Sequence, residues 1–369
     1  MIEKQDLFEA RQDGYWNYRI PCIAVTKRNV VLVATEARPG NGGDYDFIDV
    51  LMRRSTDGGK TFAPAVKLVD HITYGNGPVN NFVMIPDQMT GRVIALFCHD
   101  YARVFTMHSD DDGASFSKPV EITTVFECFR AEYPWQVCAT GPGHGLQLRN
   151  GRMIIPVWLS DAGGSGQGAH RAHRPSIVTL IYSDDHGDSW QRGSIVCRHD
   201  DVANGGTIVN PSETIAVELS DGSVMFNIRS ESTIHRRLVA ISPDGVSGWQ
   251  IRGFDDALQD PVCMASILHH EWATGDHSGR ILFANPDPLN LTPAPCVDRR
   301  RLTVKMSLDD GTTWPLNKVL EEGPAGYSDL ACLPDGTVLC FYECGALTHM
   351  CDTRFLRLAR FDKKFIQER

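Results

Sequence analysis

The chain has 369 residues, 42% hydrophobic and 22% charged, with 33 Gly and 20 Pro. That composition describes a turn-rich soluble protein and excludes the long apolar run of a membrane span. Its 36 Lys and Arg against 46 Asp and Glu leave a net charge of −10, which argues against nucleic acid or an anionic membrane as a partner.

An anionic ligand would have to meet local positive charge, so individual arginines carry the information. The length fits a single domain over residues 1–369 if the fold is a barrel or a propeller. Residues Met1 to Asp6 include acidic side chains, and no apolar run precedes Tyr15. No secretory signal is therefore expected, and the cytoplasm is the expected compartment. Eleven cysteines form an odd set without a CxxC pair, and Cys98 and Cys340 lie in apolar stretches. Buried free thiols fit that usage better than a disulfide framework or a zinc site.

Along the chain, Tyr18-Arg19-Ile20-Pro21 leads into the first strand, and Val30–Thr35 carries a β-branched strand signal. Gly40-Asn-Gly-Gly and the following Asp44, Asp46 and Asp49 suit a mobile loop. Next comes Ser55-Thr-Asp57-Gly-Gly59-Lys-Thr61-Phe62, the first of four segments with the pattern Ser-x-Asp-x-Gly-x-[Ser/Thr]-[Trp/Phe]. The others begin at Ser109, Ser183 and Ser307, and Ser242-Pro-Asp244 to Trp249 is a degenerate fifth. In each, Asp caps backbone N–H groups, Gly takes a positive φ, and the aromatic tucks under the turn.

Strand signals at Val93–Phe97, Met153–Trp158, Ile177–Tyr182 and Leu302–Met306 fall between these turns, and Asp-Gly pairs at 221 and 335 mark further hairpins. The turn starts are 54, 74, 59 and 65 residues apart. One four-stranded antiparallel blade with a variable loop occupies such a repeat, and the length holds about six. The predicted fold is all-β, a six-bladed β-propeller. The turns themselves are structural, and a propeller with such turns could equally be a binding platform.

The function comes from residues outside the turns. Arg19-Ile-Pro at the start, the repeated turns, Gly141-Pro-Gly-His144, Ser212-Glu213 with Asn227-Ile-Arg229, Asp260 to Ser266, Gly326-Tyr327-Ser-Asp and Tyr342-Glu343 recur in one order. In that order the chain resembles the sialidases with Asp-box (BNR) repeats, over nearly its whole length. The resemblance implies a retaining exo-α-sialidase, a glycoside hydrolase that removes a terminal nonulosonic acid from a glycan.

It also implies three arginines on the substrate carboxylate, a task for planar, permanently charged donors. The matching positions are Arg19, Arg229 and Arg299, with Arg300 and Arg301 as alternatives to the last. Tyr327 is the implied nucleophile. A neutral phenol can approach an anomeric centre bearing a carboxylate, whereas a carboxylate nucleophile would be repelled. Phenol needs an adjacent base near neutral pH, and Glu213 occupies that position. Asp44 is the expected acid and base, Asp46 its reserve, and Asp49 a brace for the loop. Glu343 is expected to orient Arg19.

Asn80, Asn81 and Met264 stand where relatives read the rest of the sugar, and here they depart from the usual pattern. The preferred sugar is therefore left open, and a related keto-sugar acid fits the same set. A catalytically silent glycan-binding propeller is the rival from another class. No metal or cofactor is expected, since the 13 histidines show no HExxH spacing. His144, His269 and His270 are read as structural or substrate-contacting.

Overall fold

In the computed structural model, which describes residues 2–164, 170–275, 277–288, 298–349 and 351–368, the predicted turns close through their own side chains. Asp57 Oδ1 accepts from the backbone N–H of Lys60 and Thr61 at 3.0 and 2.9 Å, and Ser55 Oγ accepts from Gly59 N at 2.9 Å. The same bonds recur around Asp111, Asp185 and Asp309. Positive φ at Gly113 (76°) and Gly187 (84°) is one demand for glycine there. Close approach is the second. A Cβ on Gly113 would stand 2.7 Å from Leu32 Cδ2, and one on Gly187 would stand 2.9 Å from Ile94 Cδ1.

Those neighbours belong to the preceding sheet, so each turn is a contact between consecutive sheets. The first sheet holds Asn17–Val25, Val31–Arg38, Asp49–Ser55 and Val66–Val69. The second is built on Val79–Pro86, Val93–His99 and Arg103–Ser109, and the third on Val137–Thr140, Met153–Ser160 and Ser176–Ser183. Thr214–Glu218, Val224–Ile228, Arg236–Ser242 and Gln250–Gln259 make the fourth. A seven-stranded sheet ends the chain, and Ile2–Glu9 returns to its edge beside Thr353–Phe361. The neighbouring strands named in each of these sheets pair antiparallel, as expected for hairpin-connected chains.

Apolar clusters fill the spaces between sheets. Leu32, Val50 and Met52 pack with Met84, Ala95 and Phe97 between the first and second. Ile94 and Leu96 meet Ile155 and Ile181 between the second and third, and Ile154 and Val178 meet Phe226 and Leu238 between the third and fourth. Ile23 and Val33 meet Phe341 and Leu358, which joins the first sheet to the last. Burying a side chain of this kind contributes about 1.5–3 kcal/mol, so sheet-to-sheet packing is the main adhesive of the fold.

The strands are fuller than a uniform four-per-sheet expectation, with sheets of seven, six, five, four and four strands and a two-stranded ribbon. Short added strands explain part of this, and the 17-residue strand Leu316–Cys332 explains the rest. Its residues up to Pro324 pair with Arg300–Ser307, and those from Ala325 pair with Val338–Ala346. Helix is confined to short segments such as Thr123–Glu127 and Lys363–Gln367. Among the described residues no helix is long and apolar enough to cross a membrane. The ten described cysteines are unpaired and seven are buried, in line with the free thiols expected.

Candidate active site

Residues at the ends of the first four sheets, and of the seven-stranded last sheet with the bend in its long strand, surround a cleft of about 540 Å³. Arg19, Asp44, Asn81, Glu213, Arg229, Arg299 and Tyr327 all line it. Arg19 and Ile20 lie at a register irregularity in their strand, where Ile20 takes φ of 59°. Bulges of this kind re-aim side chains.

Arg19 is buried and forked onto Glu343, with Nε donating to Oε1 at 3.1 Å and Nη2 to Oε2 at 3.3 Å. Burial works against its charge, and Glu343, with smaller help from Tyr327 and Cys351, outweighs that effect so that the guanidinium stays charged. Glu343 also accepts from the backbone N–H of Ile20 at 3.0 Å and of Tyr327 at 3.1 Å. Gly326 makes room for it, because a Cβ there would lie 2.2 Å from Glu343 Oε2. Glu343 therefore stands behind the cleft wall. It holds Arg19 and the Tyr327 backbone and does not reach the cavity.

Tyr327 follows the bend in the long strand, with Arg19 and Arg299 guanidinium carbons 5.1 and 5.3 Å from its ring centre. Its hydroxyl donates to Glu213 Oε1 and accepts from Arg229 Nη1 at 2.8 Å. Arg229 Nη1 also donates to Glu213 Oε2. Burial first, and the Glu213 carboxylate after it, push the phenol above its ordinary pKa, against the opposing field of Arg229. Arg299 donates from Nη2 to Val262 O at 2.6 Å and faces the cleft. Arg300 turns outward to Asp298, and Arg301 to Glu322 at 2.8 Å, so neither joins the cluster.

Asp44 sits on the loop after Val31–Arg38 and accepts from Arg38 Nη1 at 2.8 Å. Burial alone would raise its pKa, but Arg38, then Arg19, hold the carboxyl down to about 2. Asp46 serves the loop itself, accepting from Asn41 N at 3.0 Å and Phe47 N at 2.8 Å. Asp49 is buried under Tyr15 and His71, and braces the loop base.

Two of the expected sugar-reading side chains lie elsewhere. The register shifts after Asn80, and Asn81 takes φ of 52°. That bulge brings Asn81 to the cleft and leaves Asn80 fully buried, with neither side-chain polar atom paired. Met264 packs with Ile20, Cys263 and Tyr327 behind the wall and is absent from the lining. His144 is bonded to buried Asp329 at 2.6 Å, outside the cleft, and His269 stacks on Trp272 at 3.6 Å.

Sequence reasoning missed Glu36 and Arg38. Arg38 is 2% exposed and forks onto Glu36 Oε2 at 2.6 and 3.2 Å while holding Asp44. Two charges two residues apart at the end of an otherwise apolar strand share one face, and that signal was present. Tyr45, Tyr101, Trp158 and His173 form an aromatic wall that no local motif announced.

The cleft gathers Arg19, Arg38, Arg171, Arg174, Arg229 and Arg299 on a protein of net charge −10. Its chemistry suits an organic anion. Among the described residues the ligand-type cluster Asp49, Asp70 and His71 lies apart from it, and Lys67 Nζ at 2.8 Å from Asp49 already supplies a cation there.

Residues 97–340 match the family described as BNR repeat-like domain. The chain is 30% identical over 373 residues to a sialidase of Micromonospora viridifaciens, covering 94% of this chain and 52% of that protein. It thus spans about half the length of that curated relative. The solved structure of the Hadza microbial sialidase Hz136 superposes with a TM-score of 0.79 at 24% identity, over 98% of this chain and 69% of the other. The intramolecular trans-sialidase from Ruminococcus gnavus does so with a TM-score of 0.74 at 16% identity, over 99% and 98%. The turns, the all-β sheets and these matches agree, and the chain belongs to the sialidase family with BNR repeats.

Proposed function

We propose that the protein is a retaining exo-α-sialidase that hydrolyses terminal nonulosonic acid glycosides of glycans. One observation carries this reading: the Tyr327 hydroxyl lies between Glu213 and Arg229, with Arg19 and Arg299 flanking its ring. A binding protein has no use for a phenol paired with a base inside an arginine cluster.

The arginines hold the substrate carboxylate. Its negative charge beside Arg19 cancels part of the positive field that keeps Asp44 ionised, so Asp44 can carry a proton when substrate is bound. Tyr327 Oη attacks the anomeric carbon and passes its proton to Glu213. The bond to the leaving oxygen breaks, and Asp44 protonates that oxygen. In the second half Asp44 takes a proton from water, which attacks the same carbon. The bond to Tyr327 then breaks, and Glu213 returns the proton to the phenolate.

The fold beneath the site is read as one six-bladed propeller over residues 1–369. Divided between Pro324 and Ala325, the seven-stranded sheet yields two groups of four strands, which with the four other sheets make six units. The test is release of fluorophore from a panel of 4-methylumbelliferyl nonulosonates and keto-sugar acids by the wild type and Tyr327→Phe. Release that is lost in the variant supports the mechanism and names the sugar. No release from any member of the panel overturns the hydrolase reading in favour of a glycan-binding propeller.

A further inference from the structure

Tyr45 immediately follows Asp44, and its side chain leaves the first sheet altogether. Its hydroxyl donates to the backbone carbonyl of Arg171 at 2.9 Å. His173 Nε2 lies 3.1 Å from the same oxygen. A carbonyl can only accept, so the phenol proton is committed to Arg171 and His173 must present Nε2–H to the phenol. The Tyr45 ring stacks on His170 at 4.4 Å with an interplanar angle of 8°, and approaches Tyr101 at 5.1 Å. The socket is itself braced, since Arg171 donates to Asp100 Oδ2 at 2.8 Å and Gln136 O at 3.0 Å.

The rest of the loop is held locally. Asn41 and Asp46 bond within the loop, and Asp44 bonds to Arg38 of its own sheet. Among the described residues from 40 to 46, Tyr45 is the side chain hydrogen-bonded to the loop between Met153–Ser160 and Ser176–Ser183. Gly40, Gly42 and Gly43 leave the approach to Asp44 with little conformational restraint of its own.

We infer that Tyr45 is a positioning residue for acid catalysis: seated in the socket of His170, Arg171 and His173, it fixes the Asp44 carboxyl at the leaving-group side of the cleft. The inference rests on the hydrolase reading. Adjacent Cα atoms are about 3.8 Å apart, so a fixed Tyr45 leaves Asp44 small freedom to swing. Displacing a catalytic group by about 1 Å can cost on the order of 10²-fold in rate.

The experiment compares Tyr45→Phe with wild type on two glycosides of the same nonulosonic acid, one with a 4-nitrophenyl and one with a simple alkyl leaving group. The phenolate leaves with little protonic help, whereas the alkoxide needs the acid. The expected result is a kcat lower by about 10²-fold on the alkyl glycoside and by under about threefold on the aryl glycoside, with KM little changed. Asp44→Ala should show the same split. Equal losses on both substrates, or none, overturn the inference.

A second measurement needs no substrate. Amide hydrogen exchange over residues 40–47 should quicken in Tyr45→Phe while the flanking strands keep their protection, and unchanged exchange there overturns the latch. Should Tyr45→Phe fail to fold, His173→Asn cuts the same bond from the other side. The two glycosides carry a sugar that the fluorogenic panel shows to be released; wild type inactive across that panel would refute the hydrolase reading separately, with the exchange result still deciding the latch.

Discussion

Arg229 donates from Nη1 to the hydroxyl oxygen of Tyr327 at 2.8 Å, across 98 residues of chain. The phenol thus accepts from a cation while donating to Glu213, and the two contacts pull its proton in opposite senses. Burial decides the outcome, and the phenol stays neutral. Its proton already points at the group that would receive it.

Glu213→Gln should therefore keep the fold and lose the chemistry. The amide can still accept a hydrogen bond but cannot take a proton at working pH, so kcat should fall by about 10²–10⁴-fold with a modest change in KM. Steady-state kinetics beside near-ultraviolet circular dichroism checks this, and a loss under about tenfold would remove Glu213 from the role of base.

Arg299→Lys and Arg300→Ala separate the adjacent arginines. Arg299 is buried at the cleft, whereas Arg300 is exposed and paired with Asp298. Lysine keeps the charge but loses the planar fork, so Arg299→Lys should raise KM by at least about tenfold. Arg300→Ala should stay within about twofold of wild type, as an exposed pair contributes about 0–1 kcal/mol. The opposite ranking in the same assay would move the carboxylate contact to Arg300.

Glu343→Ala should unfold at lower urea than any of these variants. It strips the partner from buried Arg19 and leaves the N–H groups of Ile20 and Tyr327 without their acceptor. Breaking a buried pair from one side costs about 3–5 kcal/mol. Glu343→Gln keeps one acceptor oxygen and should cost less. A loss under about 1 kcal/mol for the alanine variant would mean that the wall repacks around Arg19.

Asp44 makes stability depend on acid in a defined window. Its folded pKa of about 2 lies below the ordinary 3.8, so its contribution is full above pH 3.8 and is lost as pH falls through about 2. Asp44→Asn removes that titration. Urea midpoints measured between those limits should fall less steeply with acid in the variant than in wild type, and parallel curves would show that Arg38 does not hold the carboxyl down.

Sequence by itself determined what neighbours can accomplish. The Ser-x-Asp-x-Gly turns are closed by side chains and N–H groups at most a few residues apart, so their spacing announced the strands and the repeat. The resemblance carried Arg19, Glu213, Arg229, Arg299 and Tyr327 as short motifs, and the structure brings them to one cleft.

Tertiary structure alone decided which of the remaining polar residues face that cleft. A bulge exchanges Asn80 for Asn81, Met264 falls behind the wall, and Glu36 and Arg38 become its buried charges. Tyr45 finds its socket 126 residues along the chain, and Arg19 meets Glu343 across 324. Local turn chemistry cannot specify such pairs. They exist because the apolar clusters between sheets close the first sheet onto the last, and that closure sets which strand ends converge.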